Sequence, residues 1–286
     1  MEYSRLLENK NRITSTTLNQ KSYTEITGNF TIRFVFSGNE TCAIGRRQLS
    51  VHSDSFIILN KGTRFTSNSD PRLAVNVFSI EFDADFLADF NLNFFKNNKA
   101  VSFDADNAIY HLRETIYPFN GDIKLNICQL KYHLDNQTAD DEVLNDYLQQ
   151  CLLNCYRVYN EEIFQKAKRL NFLHPGTRTE ILRRLNLAKE YLYANYDKNI
   201  NLEDLANYAC LSVNHLLRTF KLAYNQSPHQ FLIQLRLQRA QCLLTQTEYP
   251  VYEIVNMVGF KCTSSFIRLF RNRYKTTPLK YRNVLV

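Results

Sequence analysis

A short basic helix is written twice in this chain, and nothing else in the sequence limits the fold as much. Leu211–Phe231 reads "LSVNHLLRTFKLAYNQSPHQF" and Gly259–Tyr281 reads "GFKCTSSFIRLFRNRYKTTPLKY". At an offset of 50, Arg218 matches Arg268, Phe220 matches Phe270 and Tyr224 matches Tyr274. Lys221 meets Arg271, and Ser227-Pro228 meets Thr277-Pro278, a hydroxyl-proline pair that reads as a stop closing each copy. A supporting helix precedes each. In "NLEDLANYA", Asn201 suits a cap, Glu203 and Asp204 fall in the first turn, and Leu202, Leu205 and Ala206 form the buried side. In "VYEIVNMVGF" the helix starts after Pro250, and Gly259 allows the sharp turn. The supporting helices align at an offset of 49, so the second turn is longer by one residue.

In the first copy Ser212 suits the cap of the second helix. Leu216, Phe220 and Tyr224 recur at i, i+4, i+8, which predicts a buried stripe with Asn214, His215, Arg218 and Lys221 left mainly exposed. In the second copy Phe266, Phe270 and Leu269 fall inward, with Thr263, Ser264, Ser265, Arg268 and Arg271 outward. Two short helices around a tight turn, the second basic and exposed, make a helix-turn-helix. Between the copies, "SPHQFLIQLRLQRAQCLLTQTEYP" predicts a stiff helix of some 27 Å at about 1.5 Å per residue. That length suits two basic helices in successive major-groove segments, about 34 Å apart per turn of duplex.

Charge agrees. From Arg178 onward 16 Lys and Arg face 7 Asp and Glu, a net of +9, whereas residues 1–177 hold 19 and 21, a net of −2. A basic half beside a near-neutral half implies a polyanion partner for the former.

The last hundred residues resemble the DNA-binding domain of the AraC family of bacterial transcription regulators. The resemblance rests on "NLEDLANYACLSVNHLLRTFK", "RLQRAQCLLTQT", "EIVNMVGF", "SSFIRLFRNRY" and "TTPLKYR". It departs where Asn225 and Lys275 replace a usual glycine and Val255 a usual alanine. The resemblance implies double-stranded DNA as partner, with base contacts from Asn214, His215, Arg218, Thr263, Ser264, Ser265 and Arg268. It implies backbone contacts from Ser212, Lys221, Arg271 and Arg273. Leu217 and Ile267 either touch thymine methyls or pack.

The first half reads differently. In "NFTIRFVF", Phe30, Ile32, Phe34 and Phe36 alternate onto one strand face with Thr31 and Arg33 opposite. Short strands and frequent turns over 23–82 predict a sandwich or small barrel. Helices follow from Asp83, including "DADFLADF", "DADNAIYHLRETI" and a long run from Asp140 to Leu170. There Val143, Leu144, Tyr147, Leu148, Cys151, Leu152 and Cys155 form a stripe that packs either on its own domain or on a second subunit. "LHPGTRT" marks a linker at Leu173–Thr179.

The expected fold is therefore α+β. A cupin-like β-barrel or sandwich with a helical dimerisation segment occupies 1–175, and an all-α domain of two helix-turn-helix units joined by a long helix occupies 176–286. The family order implies a sensing N-terminal half, a homodimer, a possible small-molecule effector and, for an activator, RNA polymerase. The ligand-binding residues are unknown. Arg33, Arg46 and Arg47 suit an anionic effector, although arginine on the outer side of a strand is commoner. The expectation is a non-enzyme with no cofactor, no metal and no membrane. It is cytoplasmic, since the seven scattered cysteines suit reduced thiols and the N-terminus lacks a secretory h-region. Two rivals remain: a cupin-type metal enzyme with a DNA-binding tail, which the wide spacing of His52, His111, His133 and His174 disfavours, and a ligand-free regulator controlled by a protein partner.

Overall fold

The computed structural model describes residues 2–18, 22–69, 74–97, 112–171 and 174–284. It divides into two compact units, Met1–Phe164 and Gln165–Val286.

The first unit is built on two antiparallel sheets. Strands β1 (Glu2–Leu6), β2 (Arg12–Leu18), β4 (Phe30–Ser37), β7 (Ser55–Leu59), β9 (Val75–Phe82) and β10 (Ile116–Pro118) form a sheet in the order β1-β2-β9-β4-β7-β10. A second sheet, β3-β8-β5-β6, comprises β3 (Tyr23–Ile26), β5 (Asn39–Ile44), β6 (Arg47–His52) and β8 (Arg64–Ser69). The described strands pair only within their own sheet, so the unit is a sandwich rather than a closed barrel.

Both faces of β4 are covered, which changes the expected exposure of its alternate residues. Phe30, Ile32 and Phe34 are buried as expected, and Phe34 packs its ring 4.9 Å from that of Phe119. Thr31 and Arg33 face the other sheet and are buried too. The hairpin β1–β2 was not expected from the sequence. "RITSTTL" buries only its ends, Ile13 and Leu18, and its polar middle gives no hydrophobic alternation to read. The expected helix "DADNAIYHLRETI" lies largely outside the described residues. Where it is described, Leu112–Glu114 are irregular and Ile116 begins β10.

Helix α1 spans Ala84–Asn97, α2 Gly121–Asn136 and α3 Asp141–Tyr159. The helical run continues through a π-helical stretch, Asn160–Gln165, into α4, Lys166–Arg169. The α3 stripe packs mainly inward. Leu144, Leu148, Cys151, Leu152 and Cys155 are buried, whereas Val143 keeps 41% of its surface. Burial pushes the Cys151 and Cys155 thiols up, as apolar surroundings do to a group that would ionise.

The second unit is all-helical. After α4 come α5 (Pro175–Ala194), α6 (Leu202–Tyr208), α7 (Val213–Tyr224), α8 (Pro228–Gln246), α9 (Val251–Met257), α10 (Thr263–Tyr274) and α11 (Pro278–Val284). Much of the expected linker is helix. Pro175 opens α5, where its missing N–H has no intrahelical partner to lose. Among the described residues no helix is long and apolar enough to cross a membrane.

Candidate nucleic-acid interface

Each of the two repeated units is built by the same local chemistry. In the first, the Asn201 side chain accepts from the Asp204 N–H at 2.7 Å and opens α6. The turn passes through Cys210 at φ +53°. Ser212 then caps α7, its hydroxyl accepting the His215 N–H at 3.3 Å. Leu216, Phe220 and Tyr224 are buried, and the Phe220 and Tyr224 rings lie 4.4 Å apart. In the second unit α9 follows Pro250, and Phe266 and Phe270 are wholly buried against Ile254, Val255 and Val258, with Leu269 partly buried beside them.

The turn of the second unit has no room for a side chain. Gly259 sits at φ +80°, and a Cβ there would meet the Asp197 carbonyl oxygen at 2.5 Å. The position demands glycine for both its backbone and its space.

The hydroxyl-proline pairs start helices rather than stop them. Ser227 and Gln230 form a reciprocal capping box at the head of α8, with Pro228 in the first turn. Thr277 stands in the same place before α11. What ends α7 and α10 is a left-handed residue, Asn225 at φ +56° and Lys275 at φ +60°.

The structure places the expected DNA-facing residues as follows. Asn214, Arg218, Thr263, Ser264 and Arg268 are exposed on α7 and α10, whereas His215 and its counterpart Ser265 are half-buried. Ser212, Lys221, Arg271 and Arg273 are exposed. Leu217 is half-buried, and Ile267 is exposed beside Arg268. Cys262 stands where the first unit has Ser212, before the first residue of α10, and is exposed. The Ser265 backbone N–H leads the groups that hold its thiol below the ordinary value, with the Ser265 hydroxyl and the Ser264 N–H behind it.

The helix-turn-helix domain family model matches residues 205–283. The raffinose operon transcriptional regulatory protein RafR of Pediococcus pentosaceus is 28% identical over 165 residues, which are 57% of this chain and 56% of that protein. The chain therefore spans little more than half the length of that relative. A transcriptional regulator of Chromobacterium violaceum with an AraC-type DNA-binding domain is 31% identical, covering 35% of this chain and 90% of that one, with a TM-score of 0.34. By this domain the chain belongs to the AraC family. The DNA-binding domain of the global transcriptional factor AdpA, solved in complex with a target DNA, is 28% identical, covering 36% of this chain and 90% of that one, with a TM-score of 0.32.

Outside the AraC-type domain, the sandwich holds a buried charge pair that sequence reasoning missed. Arg33 donates from Nη2 to Glu40 Oε1 at 2.7 Å and from Nε to both carboxylate oxygens at 2.9 Å. Ser67 donates to the same carboxylate at 2.5 Å, and the Tyr23 hydroxyl accepts from Arg33. Desolvation works against the charge on Arg33, and the Glu40 carboxylate with its hydrogen bonds outweighs it, so the guanidinium is held above its ordinary value. Arg33 is thus an internal residue already committed to a partner, not an outward one. Arg47 donates to the Glu114 carbonyl at 2.7 Å, while Arg46 is exposed. His111 lies outside the described residues. His52 is buried, and His133 shares a 2.8 Å hydrogen bond with Thr138. Among the described residues no three His, Cys, Asp or Glu side chains group closely enough to hold a metal.

Proposed function

We propose that this chain is a sequence-specific DNA-binding transcription regulator whose α7 and α10 enter successive major-groove segments of a duplex. The observation that carries this reading is the pair of matched helices, each with a buried aromatic stripe on one side and exposed arginine on the other. Helix α8, 19 residues or about 28 Å long, is a connector close to one helical turn of duplex, about 34 Å.

In this reading Asn214, His215, Arg218, Thr263, Ser264, Ser265 and Arg268 face base edges. The guanidinium groups of Arg218 and Arg268 suit the O6 and N7 acceptors of guanine. Ser212, Lys221, Arg271 and Arg273 meet phosphates, which sets register and affinity but not sequence. The Ser212 hydroxyl already serves its own helix, so its phosphate contact uses its remaining hydrogen-bonding capacity.

Residues 1–175 act as the sensing part and 176–286 as the DNA-binding part. A small-molecule effector acts by favouring one state of the protein over another. The protein works in the cytoplasm as a homodimer without catalytic activity, and it contacts RNA polymerase where it activates. The raffinose-operon relative supports transcription control as the role.

In vitro selection from random duplex DNA with the full-length protein tests this. Recovery of two short boxes about one helical turn apart is expected. Arg218→Ala or Arg268→Ala should each cost about 1–3 kcal/mol of discrimination at one box. Equal affinity for selected and scrambled sites would overturn the reading.

A further inference from the structure

The basic character of the DNA-binding half is not shared evenly between its two units. Residues 250–280 carry six Lys and Arg against one acid, a net of +5, whereas residues 201–230 carry two against two, a net of zero. Arg218 and Lys221 have counterparts in Arg268 and Arg271. Lys261, Arg273, Lys275 and Lys280 instead match Leu211, Ala223, Asn225 and Gln230. All six cations of the second unit are exposed. The first unit has closed two of the matching places to solvent, since Leu211 and Ala223, the counterpart of Arg273, are buried. Its α6 also opens with exposed Glu203 and Asp204, where α9 has only Glu253.

Lys275 is the most telling of the six. Ser264, Arg268, Arg271 and Lys275 recur at i, i+4, i+7 and i+11, so the cap prolongs the exposed basic side of α10 past the helix end. A lysine holds that place at φ +60°, where asparagine serves in the first unit and glycine would be free of strain. A strained residue kept on a functional surface points to the group it carries. Its Nζ donates to the Asn272 carbonyl at 2.9 Å, which uses one of three donors. Among the described residues no carboxylate pairs with Lys261, Arg268, Arg271, Lys275 or Lys280. Cations gathered without acids repel one another, and a polyanion laid across them relieves the repulsion.

We propose that the second unit is the electrostatic anchor of the protein on DNA. Its Lys261, Lys275 and Lys280 join Arg271 on the phosphates and hold any duplex, and the neutral first unit adds affinity only where its own box is present. The inference rests on the DNA-binding reading above and divides the labour between the two units. Phosphate contacts release counterions whatever the sequence, so the unit that makes more of them carries the non-specific affinity.

The test uses the full chain, a random-sequence duplex about three helical turns long, and binding followed by fluorescence anisotropy between about 50 and 200 mM salt. Each phosphate contact contributes about 0.9 to the slope of log affinity against log salt. The triple variant Lys261→Gln, Lys275→Asn, Lys280→Gln should therefore flatten that slope by about 2.7. A triple variant of exposed sandwich cations, Lys61→Gln, Arg64→Gln, Lys124→Gln, should leave the slope as it was. Lys275→Asn alone should flatten it by about 0.9 while raising the midpoint of thermal unfolding, which separates a lost contact from a lost fold. On a selected two-box duplex the first triple variant should keep its ratio of selected to scrambled binding. Loss of that ratio would make these lysines base readers and overturn the proposal. A slope unchanged by the first triple variant, with the wild-type chain binding normally, would retire the anchor and leave the DNA-binding reading intact. Equal flattening by the sandwich variant would assign the slope to total charge and overturn it too. A wild-type chain that binds no duplex would remove the reading beneath it.

Discussion

Three positions in the C-terminal unit show how single residues carry the backbone through its turns. Cys210, Asn225 and Lys275 all sit at positive φ, a region that costs an L-residue with a Cβ about 1–2 kcal/mol. Asparagine tolerates it better than lysine does. Lys275→Gly should therefore raise the stability of this unit, after the larger entropy of an unfolded glycine, by roughly 0.5–1 kcal/mol. Thermal unfolding should show a higher midpoint, and a lower one would contradict the strain argument. Gly259→Ala should do the reverse and more strongly, because the new methyl meets backbone at 2.5 Å and no side chain can yield. The sequence already pointed to these places, since Asn225 and Lys275 stand at the ends of matched helices. It did not reveal what the neighbouring prolines do. Ser227-Pro228 looks the same as a stop or as a start, and only the capping box with Gln230 decides it.

Helices and strands differed in how readable they were, for a physical reason. A helix closes its hydrogen bonds within a few residues, so the stripes of α7 and α10 were visible in short windows. A strand is completed by partners far along the chain. Strand β2 of the β1–β2 hairpin pairs with β9, whose residues lie about sixty to seventy positions later at most registers (Thr16 with Val77, Arg12 with Glu81), and its Thr- and Ser-rich face carries no periodic apolar signal. Arg33 shows the same limit. Its alternation within β4 was right, but its surroundings depend on a second sheet packing over that face. Because Glu40 is fully buried against it, Glu40→Gln should cost the sandwich about 3–5 kcal/mol in chemical denaturation. Replacing both partners by apolar residues, Arg33→Met with Glu40→Leu, should recover most of that loss. If the double variant is as unstable as the single one, the pair is not what the site needs.

For the whole molecule, the assembly is the property least visible in the sequence. The α3 stripe offered two destinations, and five of its seven members are buried within the first unit. What remains outward is a shallow groove between α2 and α3, where Leu125 keeps 66% of its surface beside Val143 and Tyr147. We place the proposed dimer contact there. Sedimentation of the full chain at micromolar concentration should give a dimer, and Val143→Asp should give a folded monomer. A wild-type monomer under those conditions would remove the dimer from the proposal. The buried Ala223 also limits how the two reading modules could ever be exchanged. Transplanting the α10 sequence onto α7 would set a guanidinium at position 223, on a surface that the first copy has closed to solvent. The duplicate helices thus share a plan without being spare parts for one another, and a redesign of operator preference has to alter each in its own setting.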